Sequence, residues 1–331
     1  MANLTLCTLQ SFITIFSGPP GTGKTSSAHR FATALGLVSP QKTSIETDNF
    51  LSIPVGRGWV SSRDLLGFYN SLKNSYQPSR SGLFQFLKAF HDAKNEQPIN
   101  QHLKLVLLDE ANLSSVEHYW SDFLTMCDTF ETGQKIDLGM PGTEDRFLEI
   151  PSSLRFIATV NNDATVEALS ERLINRAPII LLGHGGDSVV SQLQTDLLGG
   201  AVPYSELKDA FIPSREEEEL NSRETIRLGQ ILDLLTTNNV KGSQVHVSKR
   251  KINAITRYCY MANQLGYKAE PLDYAIAQHV LPSIKGHGLG MRERMNKLEA
   301  KLTEFDYIIS RKIVQTIIEN GDEFSDSYSY F

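Results

Sequence analysis

Three short apolar blocks punctuate the first half of the chain, and the segments between them have helical spacing. Ser11-Phe12-Ile13-Thr14-Ile15-Phe16, Leu103 to Leu108 and Leu154 to Val160 are compact apolar runs with polar neighbours. That is the pattern of strands buried on both faces of a parallel sheet. Thr25 to Leu35, Gly82 to Ala93 and Ser114 to Phe130 read as helices between them. The alternation predicts an α/β fold, a parallel sheet wrapped by helices. Around Met140-Pro141-Gly142-Thr143, the spacing of Ile136, Leu138, Phe147, Leu148 and Ile150 predicts a β-hairpin over 134–150.

The pattern changes after Ile179-Ile180-Leu181-Leu182. Gly183-His184-Gly185-Gly186-Asp187, followed by Gly199-Gly200 and Pro203, reads as a linker. The predicted organisation is a large α/β domain over 1–183, a linker over 184–204, a small helical domain over 205–320 and a polar tail over 321–331. Ser248 predicts an N-cap for a helix whose apolar face carries Ile252, Ile255, Tyr258, Cys259 and Ala262. Glu216 to Glu219 read as a solvated helix face. Lys285, Arg292, Arg294, Lys297 and Lys301, interleaved with Glu293 and Glu299, read as an exposed, salt-linked helix. The tail, with its spaced aromatics, reads as a disordered end or as a docking peptide for a partner.

Composition narrows the picture. With 331 residues, 40% of them hydrophobic, the chain can bury two cores. A net charge of −6 argues against binding nucleic acid by bulk electrostatics, though not against a local basic pore. Cys7, Cys127 and Cys259 are widely spaced and lack metal-ligand spacing, so they read as reduced thiols with no metal role. No apolar stretch approaches the length of a membrane span, and the start lacks a basic region and a cleavage site. A cytoplasmic protein is expected.

The chemistry centres on Ser17-Gly18-Pro19-Pro20-Gly21-Thr22-Gly23-Lys24-Thr25, which fills every fixed position of the G-x-x-x-x-G-K-[ST] phosphate loop. Placed between a strand and a helix, Gly18, Pro19, Pro20, Gly21, Thr22, Gly23, Lys24, Thr25 and Ser26 surround a helix N-terminus. There the backbone N–H groups and the helix dipole favour phosphate. Lys24 is expected to reach the β- and γ-phosphates and Thr25 to hold Mg²⁺. The second apolar block ends in Asp109-Glu110 at the same edge of the sheet. Asp109 is assigned to the metal and Glu110 to the attacking water. The third block ends in Asn161-Asn162-Asp163, and Asn161 is the first choice for an amide that positions water or touches the γ-phosphate. Arg172 and Arg176, four apart in a predicted helix over 169–178, would share a face and suit developing phosphoryl charge.

This ordered set of phosphate loop, Leu-Leu-Asp-Glu, asparagine and Arg-Leu-Ile-Asn-Arg resembles an AAA+ ATPase module. Trp59 to Asn70, Leu108 to Leu113 with Val116-Glu117-His118-Tyr119-Trp120, and Ala158 to Thr165 resemble, at the level of branch, the McrB restriction motor; the AAA+ resemblance is strong over about residues 11 to 183 and weak over the remainder. The resemblance implies a P-loop NTPase with a small helical lid, assembled as a homo-oligomeric, usually hexameric, ring. It implies Asn161 as sensor 1, Arg172 and Arg176 as candidate fingers reaching a neighbouring subunit, and an insertion over Trp59 to Ser81 that points toward a pore or substrate. Arg250, near the start of a lid helix, is either a sensor-2 cation or part of a basic face. The implied setting is DNA restriction or antiphage defence, with a nuclease subunit (McrC-like) as partner, DNA as the object moved, and no membrane. ATP is favoured over GTP, since no Asn-Lys-x-Asp motif is present and the acid of Val160-Asn161-Asn162-Asp163 lies one residue closer than in McrB. The alternatives are a MoxR-like ATPase that remodels proteins, or a nucleotide-gated assembly scaffold.

Overall fold

The computed structural model describes residues 2–38, 49–92, 102–142, 146–162, 166–183, 201–214, 218–238, 240–267, 269–323 and 326–331. Their contacts fall into two units, one of residues 11–173 and 181–210, the other of 2–10, 174–180 and 211–331. This division departs from the sequence boundaries at 183 and 205, for reasons of packing. Helix α1 (Ala2–Gln10), not expected from the apolar pattern, buries Leu6 and Cys7 in the core of the second unit. Most of α8 (Tyr204–Phe211) stays with the first, where the Tyr204 hydroxyl donates to the Ser152 carbonyl and accepts from the buried Arg155 guanidinium. The linker signals at 184–200 lie outside the described residues.

The first unit is α/β. Its sheet has five parallel strands in the order β2 (Phe50–Pro54), β5 (Lys104–Asp109), β8 (Leu154–Val160), β1 (Ile13–Ser17) and β9 (Ile179–Leu181), with helices flanking it. The three apolar blocks became β1, β5 and β8, and every residue of β1 and β8 is buried. Such strands have no polar face to leave in water, so both sheet faces must be covered. Helix α2 (Lys24–Ala34) follows β1, and α4 (Leu83–Asp92) fills the predicted 82–93 segment. The register pairs Ser17 with Val160 and Leu108 with Ala158. The C-terminal ends of β1, β5 and β8 therefore meet at one edge.

The helix expected over 114–130 is broken. It forms α5 (Val116–Tyr119) and α6 (Ser121–Leu124), with Trp120 at φ −102° and ψ 14° between them, then short 3-10 turns over 125–128 and 130–132. A continuous helix turns one stripe inward. Here Tyr119, Trp120, Phe123 and Phe130 are all buried, and Trp120, Phe123 and Phe130 crowd Phe12 at ring separations of 5.8, 6.4 and 5.6 Å. Packing overrides periodicity.

Two hairpins decorate this unit. The insertion forms α3 (Ser62–Leu65), opened by a Ser61/Asp64 capping box, and the antiparallel pair β3 (Gly67–Asn70) and β4 (Ser75–Pro78). The expected 134–150 hairpin is present as β6 (Gln134–Asp137) and β7 (Phe147–Ile150).

The second unit is mainly helical. Helices α9 (Ser222–Thr236), α10 (Lys249–Gln264), α11 (Pro271–Ala275, running into a π turn to Val280), α12 (Gly288–Glu304) and α13 (Ile308–Glu323) share one core. The Ser248 hydroxyl accepts from the Lys251 N–H, the predicted cap of α10. Lys297–Glu293 and Lys301–Glu304 ion pairs match the expected salt-linked face. Arg294, however, is buried and donates to the Thr237 and Val240 carbonyls.

The tail reads differently in three dimensions. Strand β11 (Ser327–Ser329) pairs antiparallel with β10 (Lys285–His287), and Tyr328 is fully buried against Gly321. Residues 326–331 are thus a packed element and not a disordered end. Among the described residues, no helix is long and apolar enough to cross a membrane.

Candidate functional site

Glycine sets the shape of the loop between β1 and α2. Gly18 has φ 151°, and the strand end beyond it is pinned by the Leu182 N–H donating to the Ser17 carbonyl at 2.8 Å. A Cβ at Gly18 would overlap the Leu182 carbonyl oxygen, so only glycine fits. Gly21 and Gly23 take φ 81° and 78° with open space around them. Gly23 caps α2 without a side-chain acceptor, which leaves the helix N-terminus facing outward for an anion. Pro19, Pro20 and Ser26 are exposed, and the Thr22 hydroxyl closes the turn on the Pro19 carbonyl at 2.9 Å.

Lys24 is 7% exposed, and its Nζ donates to the Gly18 and Pro19 carbonyls at 2.8 Å each. The loop's own oxygens thus occupy the ammonium where phosphate oxygens would compete for it. The Thr25 hydroxyl donates to Asp109 Oδ1 at 2.7 Å, and the Thr159 hydroxyl donates to the same oxygen at 2.7 Å. The two residues assigned to Mg²⁺ are therefore in direct contact. A hydroxyl, one carboxylate and substrate phosphates are the donor set that Mg²⁺ takes while keeping several waters. Among the described residues, no group of three or more His, Cys, Asp or Glu could hold a metal by itself.

Glu110 is exposed at the end of β5 and adopts φ 52° and ψ 44°, a left-handed conformation uncommon for a side chain of its size. Its N–H donates to Thr159 Oγ1 at 2.8 Å, and the next carbonyl, that of Ala111, accepts from the buried Tyr119 hydroxyl at 2.9 Å. The backbone that carries the carboxylate is thus held on both sides. At the neighbouring strand end, Asn161 and Asn162 follow β8. The backbone of Asn161 is gripped by Asn112, while the Asn162 side chain accepts from the Ser17 hydroxyl at 2.6 Å.

A second hydroxyl reaches the insertion. Ser114 Oγ accepts from the Gly58 and Trp59 N–H groups at 2.9 and 3.1 Å and donates to the Gly56 carbonyl at 3.0 Å. The start of the insertion is thereby tied four residues downstream of Glu110.

Thr159, Asn112, Ser114 and Asn162 were not singled out from sequence. Thr159 was within reach of strand pairing, because the Leu108–Ala158 register sets 159 beside Asp109. Asn112 stood inside the Leu108 to Leu113 motif without a role.

The arginines are placed differently from the helix prediction. Helix α7 spans only Glu171–Ile174, so Arg172 lies in it, exposed, and Arg176 follows in a turn. The shared helical face does not exist, because Ala177-Pro178 starts the run into β9 and a residue before proline leaves the helical region. Arg250 is exposed in the first turn of α10, whereas its neighbour Lys251 is 1% exposed and its Nζ has no hydrogen-bond partner. Asp163 lies outside the described residues.

A family described as a domain of unknown function (DUF8727) matches residues 199–325, a span that includes α9 to α13 and none of the phosphate-loop residues. No curated protein matches the chain.

Proposed function

We propose that this chain is a Mg²⁺-dependent nucleoside triphosphatase of the AAA+ class, ATP-directed in preference to GTP. The observation that carries the reading is the chain of hydroxyls joining the loop to the acid strand, Thr25 and Thr159 on one oxygen of Asp109. A glycine turn before a helix has no need of a carboxylate eighty-four positions away. A phosphate–metal site needs both.

Within this reading, Lys24 moves its ammonium from the Gly18 and Pro19 carbonyls to the phosphates, and the open N-terminus of α2 supplies N–H donors. Thr25 and Asp109 hold Mg²⁺, which when bound supplies charge neutralisation for the transferred phosphoryl group. Glu110 accepts a proton from water, and the Asn161 and Asn162 segment fixes the opposite wall. Arg172 and Arg176 are proposed as fingers that act across a homo-oligomeric ring, and Arg250 as a lid cation.

The ring is proposed to be McrB-like, working in the cytoplasm with a nuclease subunit on DNA. The insertion supports a polyanion as the object moved. Its Arg63, Lys73 and Arg80 outnumber Asp64, Phe68 is 42% exposed, and Arg63 lies 5.9 Å from that ring. Cations and open aromatic faces are what a nucleic-acid strand uses.

The test is phosphate release with ATP and with GTP over a wide range of protein concentration, with Glu110→Gln as the blank. Glu110-dependent release whose specific activity rises with concentration supports a ring with shared sites. Release equal in the Glu110→Gln blank, or tight nucleotide binding by Lys24→Ala in calorimetry, overturns the assignment.

A further inference from the structure

Asn112 is 4% exposed, and among the described residues its side chain hydrogen-bonds to main chain. Its Nδ2 donates to the Asn161 carbonyl at 2.9 Å and to the Glu167 carbonyl at 3.2 Å, and its Oδ1 accepts from the Asn161 N–H at 3.1 Å. Its own carbonyl accepts from the Glu167 N–H at 2.9 Å. The carboxamide thus imitates a strand residue, offering one donor and one acceptor to the same peptide partner. It continues the pairing of β5 with β8 beyond the last paired residues, Leu108 and Ala158.

Few side chains can replace it. Aspartate has acceptors only and would face two carbonyls, and alanine offers nothing, leaving buried groups unpaired. The placement is also specific. Asn112 lies two residues after Glu110, grips Asn161 at the neighbouring strand end, and anchors Glu167 in the segment that leads to Arg172.

We infer that Asn112 is a positioning residue for hydrolysis: it fixes the spacing between Glu110 and the Asn161 strand end and ties the arginine-bearing segment to the same point. The inference rests on the nucleotide-hydrolysis reading. Because Asn112 touches the loop neither directly nor through Lys24, it governs turnover and leaves nucleotide affinity alone. Misplacement of a reacting group by about 1 Å costs on the order of a hundredfold in rate, which sets the scale of the effect.

The experiment compares the full chain with Asn112→Ala and the near-isosteric Asn112→Asp, reading Kd with a fluorescent nucleotide analogue, kcat and KM for phosphate release, and the melting temperature. The expected result is a Kd within about twofold of the parent and a kcat lower by about ten- to a hundredfold in both variants. Asn112→Asp is expected to be no better than Asn112→Ala, since it keeps the acceptor and loses both donations. Parental kcat in either folded variant overturns the inference while leaving the hydrolysis reading intact. So does a loss of affinity and melting temperature that accounts for the whole fall in rate, which marks a structural role. Absence of any Glu110-dependent release in the parent chain removes the hydrolysis reading, and this inference with it.

Discussion

Replacing Thr159 by valine isolates the hydroxyl on which the site turns. The side chain is 2% exposed and valine has nearly its shape, so no cavity opens. What disappears is a pair of hydrogen bonds, the donation to Asp109 Oδ1 at 2.7 Å and the acceptance from the Glu110 N–H at 2.8 Å. A hydrogen bond to a charged group contributes about 1.5–3 kcal/mol and a neutral one about 0.5–1.5 kcal/mol, giving a loss of roughly 2–4 kcal/mol. For a unit of this size that lowers the melting temperature by about 5–15 °C. The left-handed backbone at Glu110 also loses the restraint on its N–H, so kcat is expected to fall about tenfold or more. Nucleotide affinity measured without Mg²⁺ should hold, because Lys24 and the loop are untouched. Thr159→Ser is the control, since it keeps the oxygen and gives up only a methyl group. Scanning fluorimetry and phosphate release read the two effects side by side. A Thr159→Val protein that melts and turns over like the parent would refute the argument that this hydroxyl holds Asp109 and Glu110 together.

Gly18→Ala should weaken nucleotide binding at least tenfold and cost about 2–4 kcal/mol in urea unfolding, because the new Cβ overlaps the Leu182 carbonyl and the backbone sits at φ 151°. Gly21→Ala, with open space and φ 81°, should cost only about 1–2 kcal/mol, and equal costs would contradict the steric account. Burial pushes the Lys251 ammonium down to about 7, below its value in the unfolded chain, so the unfolded state binds more protons between there and about 10.5. Parental stability should therefore rise with pH across that window, and Lys251→Met should be more stable than the parent at neutral pH with an advantage that shrinks toward pH 10. Burial and the nearby Lys251 hold His279 down at about 3, so it stays neutral throughout the window. A constant difference between Lys251→Met and the parent in urea unfolding across that window would contradict the assignment.

What the sequence made legible were features whose cause is local. β1, β5 and β8 were readable because a strand covered on both faces has to be apolar along its whole length, and the phosphate loop because its glycines answer to backbone geometry. The α10 cap and the 134–150 hairpin are equally local. The features that escaped are set by partners distant in sequence. Nothing near Tyr119 and Trp120 announces a break, since it arises from Phe12 and Phe156 crowding the same space. The tail looked polar because only Tyr328 faces inward from β11. Asn112 and Thr159 resemble ordinary polar residues until β5 and β8 are side by side.

The second unit takes its pieces from far-separated stretches of chain. The Asn3 side chain accepts from the Tyr258 hydroxyl at 2.6 Å and from Gln278 Nε2 at 2.9 Å, contacts 255 and 275 positions apart, and the Cys7 thiol donates to Gln278 Oε1 at 3.0 Å. During synthesis α1 leaves the ribosome long before these partners exist. At about 5–20 residues per second it waits roughly 15–55 s for Gln278 to be made. In that interval the sheet and the phosphate loop can close, while Leu6 and Cys7 have no core to enter. The helical unit thus matures last although its first element is made before the sheet. Deleting residues 2–10 would strike the helical unit rather than the phosphate loop that follows them in the message.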